Sequence, residues 1–302
     1  MELNTEIITT PARPAATVIL LRDGDGSGSD SGNSGLEIFL LKRHGLSDVL
    51  GGAYVFPGGK VDRVDAELDM DTHLDQPLNE LHAALNEPDI SALTAAGLYV
   101  AAVREAFEES GILFAQGATH EHAARATALL RQGHAFEEVL ALMNLRLQTR
   151  SLAPWSRWIT PKLSSVMNKR FDTRFFVSAV PPDQIAKHDN HEATESIWLS
   201  PRAALEQYRD GQIELAPPQI MTLAHMTHYA RVQDVMTQAR SRVPPVIEPE
   251  PFQIEGGRLI CYPGDAQHSV RQKAMPGPTR LRYLNKRFEP DGGFDSLFTN
   301  PL

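Results

Sequence analysis

The stretch Gly97–Ile112, GLYVAAVREAFEESGI, constrains the fold more than any other segment. Val100, Val103 and Phe107 recur at three- and four-residue spacing, the period of an amphipathic helix, with Ile112 beyond the turn. Gly111 stands where such a helix ends in a left-handed residue. Glu105, Glu108 and Glu109, at i, i+3 and i+4, project side by side from one face. Like charges at that spacing repel by roughly 0.2–0.5 kcal/mol per pair. A solvated surface tolerates this, and a divalent cation reverses its sign, because carboxylates and phosphate oxygens are its natural ligands. Arg104, four residues before Glu108, can steady a carboxylate from the side. The helix alone leaves both readings open.

Short strands are predicted at Thr17–Leu21, Leu36–Lys42 and Ala53–Phe56, the first two joined across a flexible Gly-, Ser- and Asp-rich loop, Gly24–Gly35. Ile112–Ala115, Trp155–Thr160, Thr173–Val180, Ser196–Leu199 and Arg258–Tyr262 also read as strands. Helices are expected at Leu98–Ser110, His120–Arg131, Phe136–Gln148, Pro201–Arg209 and Pro218–Arg240. Strands alternating with helices imply an α/β protein, a mixed sheet flanked by helices. Residues 66–95, acidic and polar with few strong apolar stripes, are expected to be a surface excursion with short helices. The reading is one catalytic domain over residues 1–240, with a helical segment at 119–149. Residues 241–302 form a Pro- and Gly-rich C-terminal extension packed on it.

Composition removes several function classes. Lys and Arg number 29 against 38 Asp and Glu, a net charge of −9, which disfavours a nucleic-acid partner gripped through its phosphates. A single cysteine, Cys261, excludes an intramolecular disulfide framework and a cysteine-rich zinc site. The longest clean apolar run near the N-terminus, Val18–Leu21, is far short of the ~20 residues a membrane span needs. Met1–Thr10 lacks the basic-then-apolar layout of a signal peptide. The expectation is a soluble, cytoplasmic protein with no membrane partner.

Upstream of the acidic helix lies Phe56-Pro57-Gly58-Gly59-Lys60-Val61-Asp62, whose paired glycines permit a tight turn and close backbone approach. Together with Arg104, Glu105, Ala106, Glu108, Glu109, Gly111 and Ile112 it resembles the Nudix hydrolase family, whose box runs G-x5-E-x7-R-E-U-x-E-E-x-G-U, U being a bulky aliphatic. Gly59 opens the box, Asp65 replaces its first glutamate, and Ala106 is small for a U position. Asp65 and Arg104 are separated by 38 residues where the family has seven. A long insertion here is known in the family's peroxisomal coenzyme A diphosphatase branch. Leu40-Leu41-Lys42-Arg43-His44, Trp158-Ile159-Thr160-Pro161 and Arg170-Phe171-Asp172-Thr173-Arg174-Phe175-Phe176 resemble that branch in the same order.

The resemblance implies a Nudix α/β/α sandwich and a diphosphatase using Mg²⁺ or Mn²⁺. Glu105, Glu108 and Glu109 inherit metal binding, with Glu105 also a candidate base. Arg104 orients them, and Gly59 lends its carbonyl or forms the turn. A base on a loop before a strand is common in the family, which makes Glu192 the first choice and Glu195 the second, with His188 and His191 as bystanders. Arg43, Arg170 and Arg174 are candidate substrate contacts, Lys169 a solvated charge, and Asp65 a helix-start or loop-bracing residue rather than a ligand. Trp155 and Trp158 are open between stacking on adenine and core packing. The implied partner is a small-molecule nucleotide, coenzyme A or acyl-CoA, with ADP-ribose, a dinucleotide or a damaged nucleotide as alternatives. A catalytically silent nucleotide sensor is the alternative of another class. A homodimer is implied only by analogy with the family.

Overall fold

Alternation along two strands sets the layers. The computed structural model describes residues 4–24, 35–45, 47, 50–164, 166–189 and 192–299. Positions 25–34 of the expected loop, and His191, lie outside them. Strands β1 (Arg13–Asp23) and β2 (Leu36–Arg43) pair antiparallel, Leu21 opposite Ile38. Ala16, Val18 and Leu20 of β1, with Phe39 and Leu41 of β2, enter one buried core. Ile19 and Leu21, with Leu36, Ile38 and Leu40, enter a second. Because strand side chains alternate in direction, apolar residues at every position require both faces to be covered.

β3 (Tyr54–Val55) extends β2, and β4 (Gly58–Lys60) pairs with the start of β1, Gly59 opposite Ala16. Helices α1 (Met70–His73), α2 (Leu78–Leu85), α3 (Ala92–Ser110), α4 (His120–Arg131) and α5 (Phe136–Met143) contribute to the first core. β5 (Ala153–Ile159) is antiparallel to β6 (Phe171–Ala179), which runs parallel to β1, and β7 (Ala193–Leu199) is antiparallel to β2. α6 (Pro201–Arg209), α7 (Pro217–Met226) and α8 (Val232–Ser241) fill the second core. β8 (Val246–Ile247) joins β5 and completes an eight-stranded mixed sheet. This is the expected α/β/α sandwich. None of the described helices is long and apolar enough to cross a membrane.

The structure revises five local expectations. α3 begins at Ala92 rather than Leu98, because the Ser91 hydroxyl accepts a hydrogen bond from Thr94 N at 3.0 Å and caps the helix. Its residues 95–104 are all buried, and Gly97 lets Ala66 approach so closely that a Cβ would lie 3.1 Å from the alanine's. Residues 66–95 are no surface excursion: Met70, Leu74, Leu81 and Leu85 join the core against α3, and Leu78, Leu81 and Leu85 make a helical stripe. Ile112–Ala115 is buried irregular chain, tied to Leu147 by a bridge at Ala115. α5 stops at Met143 because Asn144 turns left-handed, with φ 49°. The stretch Pro218–Arg240 is two helices, separated at residues 227–231.

The C-terminal region holds more than the one predicted strand. β9 (Glu250–Ile254), β10 (Gly257–Cys261), β11 (Arg280–Leu284) and β12 (Arg287–Pro290) form a four-stranded antiparallel sheet. Asn285 and Lys286, both at positive φ, make the two-residue hairpin turn between β11 and β12. Ile260, Tyr262, Leu281, Tyr283 and Phe288 pack into the second core, and Phe288 exchanges backbone hydrogen bonds with the Tyr208 hydroxyl of α6.

Candidate active site

Arg104 is the hub of the carboxylate face. Its Nε and Nη2 donate to the two oxygens of Asp65 at 2.8 and 2.9 Å, a bidentate pair in which the aspartate is 2% exposed. Nη1 donates to Glu105 at 2.8 Å and to Glu108 at 3.1 Å, and Nη2 also reaches the Lys60 carbonyl at 3.0 Å. Asp65 further accepts from Asp62 N at 2.7 Å, so it braces the loop, as expected, rather than facing the cleft. The sequence gap of 38 residues is closed in space by this one ion pair.

The Pro-Gly-Gly turn supplies the other side. Glu109 accepts from Gly58 N at 2.8 Å. The Glu105 carboxylate lies against Gly59, where any Cβ would come within 2.5 Å of it. Arg43, at the end of β2, approaches Glu109 at 4.0 Å and Glu192 at 3.7 Å. Glu192 immediately precedes β7 and lines the same cleft as Glu105, Gly59 and Arg43. Glu195 is turned away, half-exposed and paired with Lys42 at 3.4 Å.

These carboxylates are held under electrostatic stress. Burial raises Glu109 to about 8, against the hydrogen bond from Gly58, and the charge of Glu105 adds to the rise. Burial likewise lifts Glu105 to about 7, although Arg104 pulls it down, and it lifts Glu108. The Arg104 guanidinium loses hydration by burial, yet Asp65, Glu105 and Glu108 together hold it firmly charged. Among the described residues no three acidic, histidine or cysteine side chains are already gathered into a cation cage. The donor set nonetheless has the chemistry of a hard-cation site, with three carboxylates whose ionisation is penalised by burial.

Two of the three candidate substrate arginines are committed elsewhere. Arg174 is 5% exposed, its Nε donates to Glu87 at 2.9 Å, and Nη1 is 2.9 Å from Asp172. Arg170 donates to the Thr160 carbonyl at 2.8 Å and pairs with Glu248 at 3.4 Å. Neither lines the cleft, because strand alternation turns them from the face that bears Phe171, Thr173 and Phe175. Arg43 remains at the cleft, and Lys169, expected to be merely solvated, lines it too. Trp155 is core, packed on His225 with ring centroids 4.7 Å apart, whereas Trp158 reaches the cleft wall. His188 contacts Ser196 at 3.0 Å.

The cleft, about 380 Å³, starts at these carboxylates and runs between β5, β6 and α7 to the C-terminal sheet. Sequence reasoning missed Glu87, the partner of Arg174; Gln219, on the cleft wall; and the contribution of Ile260 and Phe288 to that wall. Glu87 directly precedes Pro88 in a polar stretch, and nothing local marks it as buried.

Comparison with known proteins agrees with this geometry. Acyl-coenzyme A diphosphatase NUDT19 from Xenopus laevis is 27% identical over 274 residues, 77% of this chain and 71% of that protein. Putative nudix hydrolase 7 from Caenorhabditis elegans is 24% identical, over 90% of this chain and 80% of that protein. The crystal structure of a Nudix hydrolase from Alicyclobacillus acidocaldarius superposes with a TM-score of 0.60 at 25% identity, covering 78% of this chain and 98% of that one. A family model, the NUDT19 Nudix domain, matches residues 12–226, a span that holds the Pro-Gly-Gly turn, the inserted helices, α3 and Glu192. With its box split by a folded insertion and rejoined through Arg104 and Asp65, the chain belongs to the NUDT19 Nudix domain family and is a Nudix hydrolase.

Proposed function

We propose that this enzyme hydrolyses the pyrophosphate bond of coenzyme A or an acyl-CoA, giving 3′,5′-ADP and (acyl-)4′-phosphopantetheine, with Mg²⁺ or Mn²⁺. The observation that carries the reading is charge: among the described residues, Asp62, Asp65, Glu105, Glu108, Glu109 and Glu192 pair with just Arg104 and Arg43 in this cluster. Of these acids Glu105 and Glu192 line a largely apolar cleft. The names of the Xenopus laevis relative and its kin support the choice of coenzyme A.

Glu105, Glu108 and Glu109 would hold the cations, and a bound cation would neutralise phosphate charge and lower the pKa of water. Arg104 keeps Glu105 and Glu108 in place by charge-assisted hydrogen bonds and is itself fixed by Asp65. Gly58 N orients Glu109. Glu192, at the cleft on an exposed turn, takes the proton of the attacking water as general base, and Arg43 meets the phosphate oxygens. The water oxygen bonds to one phosphorus as the bridging P–O bond to the other breaks, and the proton taken by Glu192 is then released to the leaving phosphate or to solvent.

The test is mass spectrometry of products from coenzyme A, NADH and ADP-ribose with Mg²⁺, Mn²⁺ or EDTA. Cleavage of coenzyme A to the two named halves, abolished by EDTA, is the expected result. Turnover of ADP-ribose with none of coenzyme A would refute the substrate, and full turnover in chelator would refute the metal. Glu192→Gln should lower kcat by about 10²–10⁴-fold, the usual contribution of a general base, whereas Glu195→Gln should leave it within about twofold.

A further inference from the structure

Three residues that line the cleft, Arg43, Trp158 and Gln219, each carry a buried polar atom without a hydrogen-bond partner among the described residues; Trp158 and Gln219 are the two uncharged ones. Trp158 and Gln219 are 5% and 6% exposed, and both line the cleft. Among the described residues, neither Trp158 Nε1 nor Gln219 Oε1 has a hydrogen-bond partner. A buried donor or acceptor left unmade is costly, so one of each on residues lining the same cleft is a feature that a ligand would resolve. One is an obligate donor and the other an acceptor.

Their surroundings narrow the ligand. The indole ring of Trp158 is packed edge-on to Tyr262 at 6.0 Å and tilted against Phe175 at 6.3 Å, so the ring is held in place beside the cleft. The C-terminal region adds Pro249, Pro251, Ile260 and Phe288 to the wall of the same cleft, all four without an ionisable side chain, and Lys169 lines it too. A saturated chain interrupted by secondary amides matches such a wall: its carbonyl accepts from an indole N–H, its N–H donates to a glutamine oxygen, and its methylenes lie on proline and isoleucine.

We propose that Trp158 and Gln219 form a subsite for the amide-bearing arm of the substrate, with the C-terminal sheet as its outer wall. The proposal rests on the coenzyme A reading and assigns the pantetheine half to this end of the cleft. It also gives the C-terminal region a role in recognition, since β10 and β12 shape the specificity of a site whose carboxylates lie on α3.

The test measures binding of each product half, 4′-phosphopantetheine and 3′,5′-ADP, to the wild type, Trp158→Phe and Gln219→Leu, beside coenzyme A kinetics. Each variant should weaken 4′-phosphopantetheine about tenfold, the loss of one hydrogen bond to a buried group, and leave 3′,5′-ADP within about twofold. KM for coenzyme A should rise with kcat little changed, because the lost contact serves ground and transition state alike. Weakening of 3′,5′-ADP instead, or of both halves equally, overturns the assignment, as does unchanged binding of both. A wild type that binds neither half and leaves coenzyme A intact refutes the coenzyme A reading itself. Melting curves check the fold, and Gln219→Leu carries the test alone if Trp158→Phe does not fold.

Discussion

Arg104 on α3 and Arg174 on β6 are both buried and both ringed by carboxylates, but their surroundings are balanced differently. Around Arg174, two acids meet two bases: Glu87 and Asp172 with Arg157 and Arg174, at 2.8–2.9 Å for Arg157–Glu87, Arg157–Asp172 and Arg174–Asp172. Around Arg104 and Arg43, six carboxylates share two guanidinium groups. A balanced buried network has its charge satisfied within the protein and holds elements together; here it ties the segment before α3 to β5 and β6. An unbalanced one has carboxylates whose pKa values burial raises, the property on which the proposed cation site rests. The same residue types therefore make a brace in one place and a site in the other.

The comparison is broken most severely by removing residues 66–91 and joining the ends with a seven-residue linker. This takes away Met70, Leu74, Leu81 and Leu85 from the core and Glu87 from Arg174. No cooperative melt should be seen by circular dichroism; a stable, folded deletion would show that the insertion is dispensable.

Glu87→Ala isolates the brace. It leaves Arg174 buried without one of its partners and should destabilise the protein by about 3–5 kcal/mol in denaturant titration, with kcat per folded molecule changed little. A loss below about 1 kcal/mol would mean that the network is not structural.

Glu109→Gln tests the unbalanced cluster. It keeps an acceptor for Gly58 N but removes charge, so turnover should fall about 10²–10³-fold while the metal-free protein is no less stable at pH 8. Near-wild-type turnover would reduce the carboxylate face to an ordinary helix surface.

A smaller effect sharpens the contrast through pH. Glu109 and Glu105 titrate near 8 and 7 in the folded chain, above the ordinary carboxylate value of 4.5. Between pH 4.5 and 8 the folded state therefore holds protons that the unfolded state has released, and metal-free stability falls as pH rises. The melting temperature in EDTA should drop from pH 5 to pH 8, less so in Glu109→Gln, and Mg²⁺ should reduce the drop by binding the ionised forms. A melting temperature that rises across this window in EDTA would contradict the raised values. Least of all should change with Lys42→Ala, whose exposed pair with Glu195 is worth roughly 0–1 kcal/mol.

Much of the site was legible because its signals are local. Glu105, Glu108 and Glu109 share a face through helix periodicity alone, and Gly111 at φ 73° ends the helix where a glycine was expected to. Gly58 and Gly59 are required by close approach, which the paired glycines announced. Arg170 and Arg174 were misread because strand alternation says that neighbours face opposite ways, but not which face meets a cleft. The insertion was misread because its acidic composition outweighed a three-leucine stripe of only two turns.

The sequence by itself determined the α/β class, the carboxylate face, its orienting arginine and the loop position of Glu192, since each follows from a short-range period or an ordered motif. Only the tertiary structure decided which charges balance, since pairing Glu87 with Arg174 across 87 residues, or Asp65 with Arg104 across 39, depends on chain folding that no local pattern encodes. It alone also brought Trp158, Gln219, Ile260 and Phe288, from four separate elements, to one wall of the cleft. Burial strengthens electrostatics and makes unmade hydrogen bonds expensive, so these long-range pairings turn an acidic helix into a site.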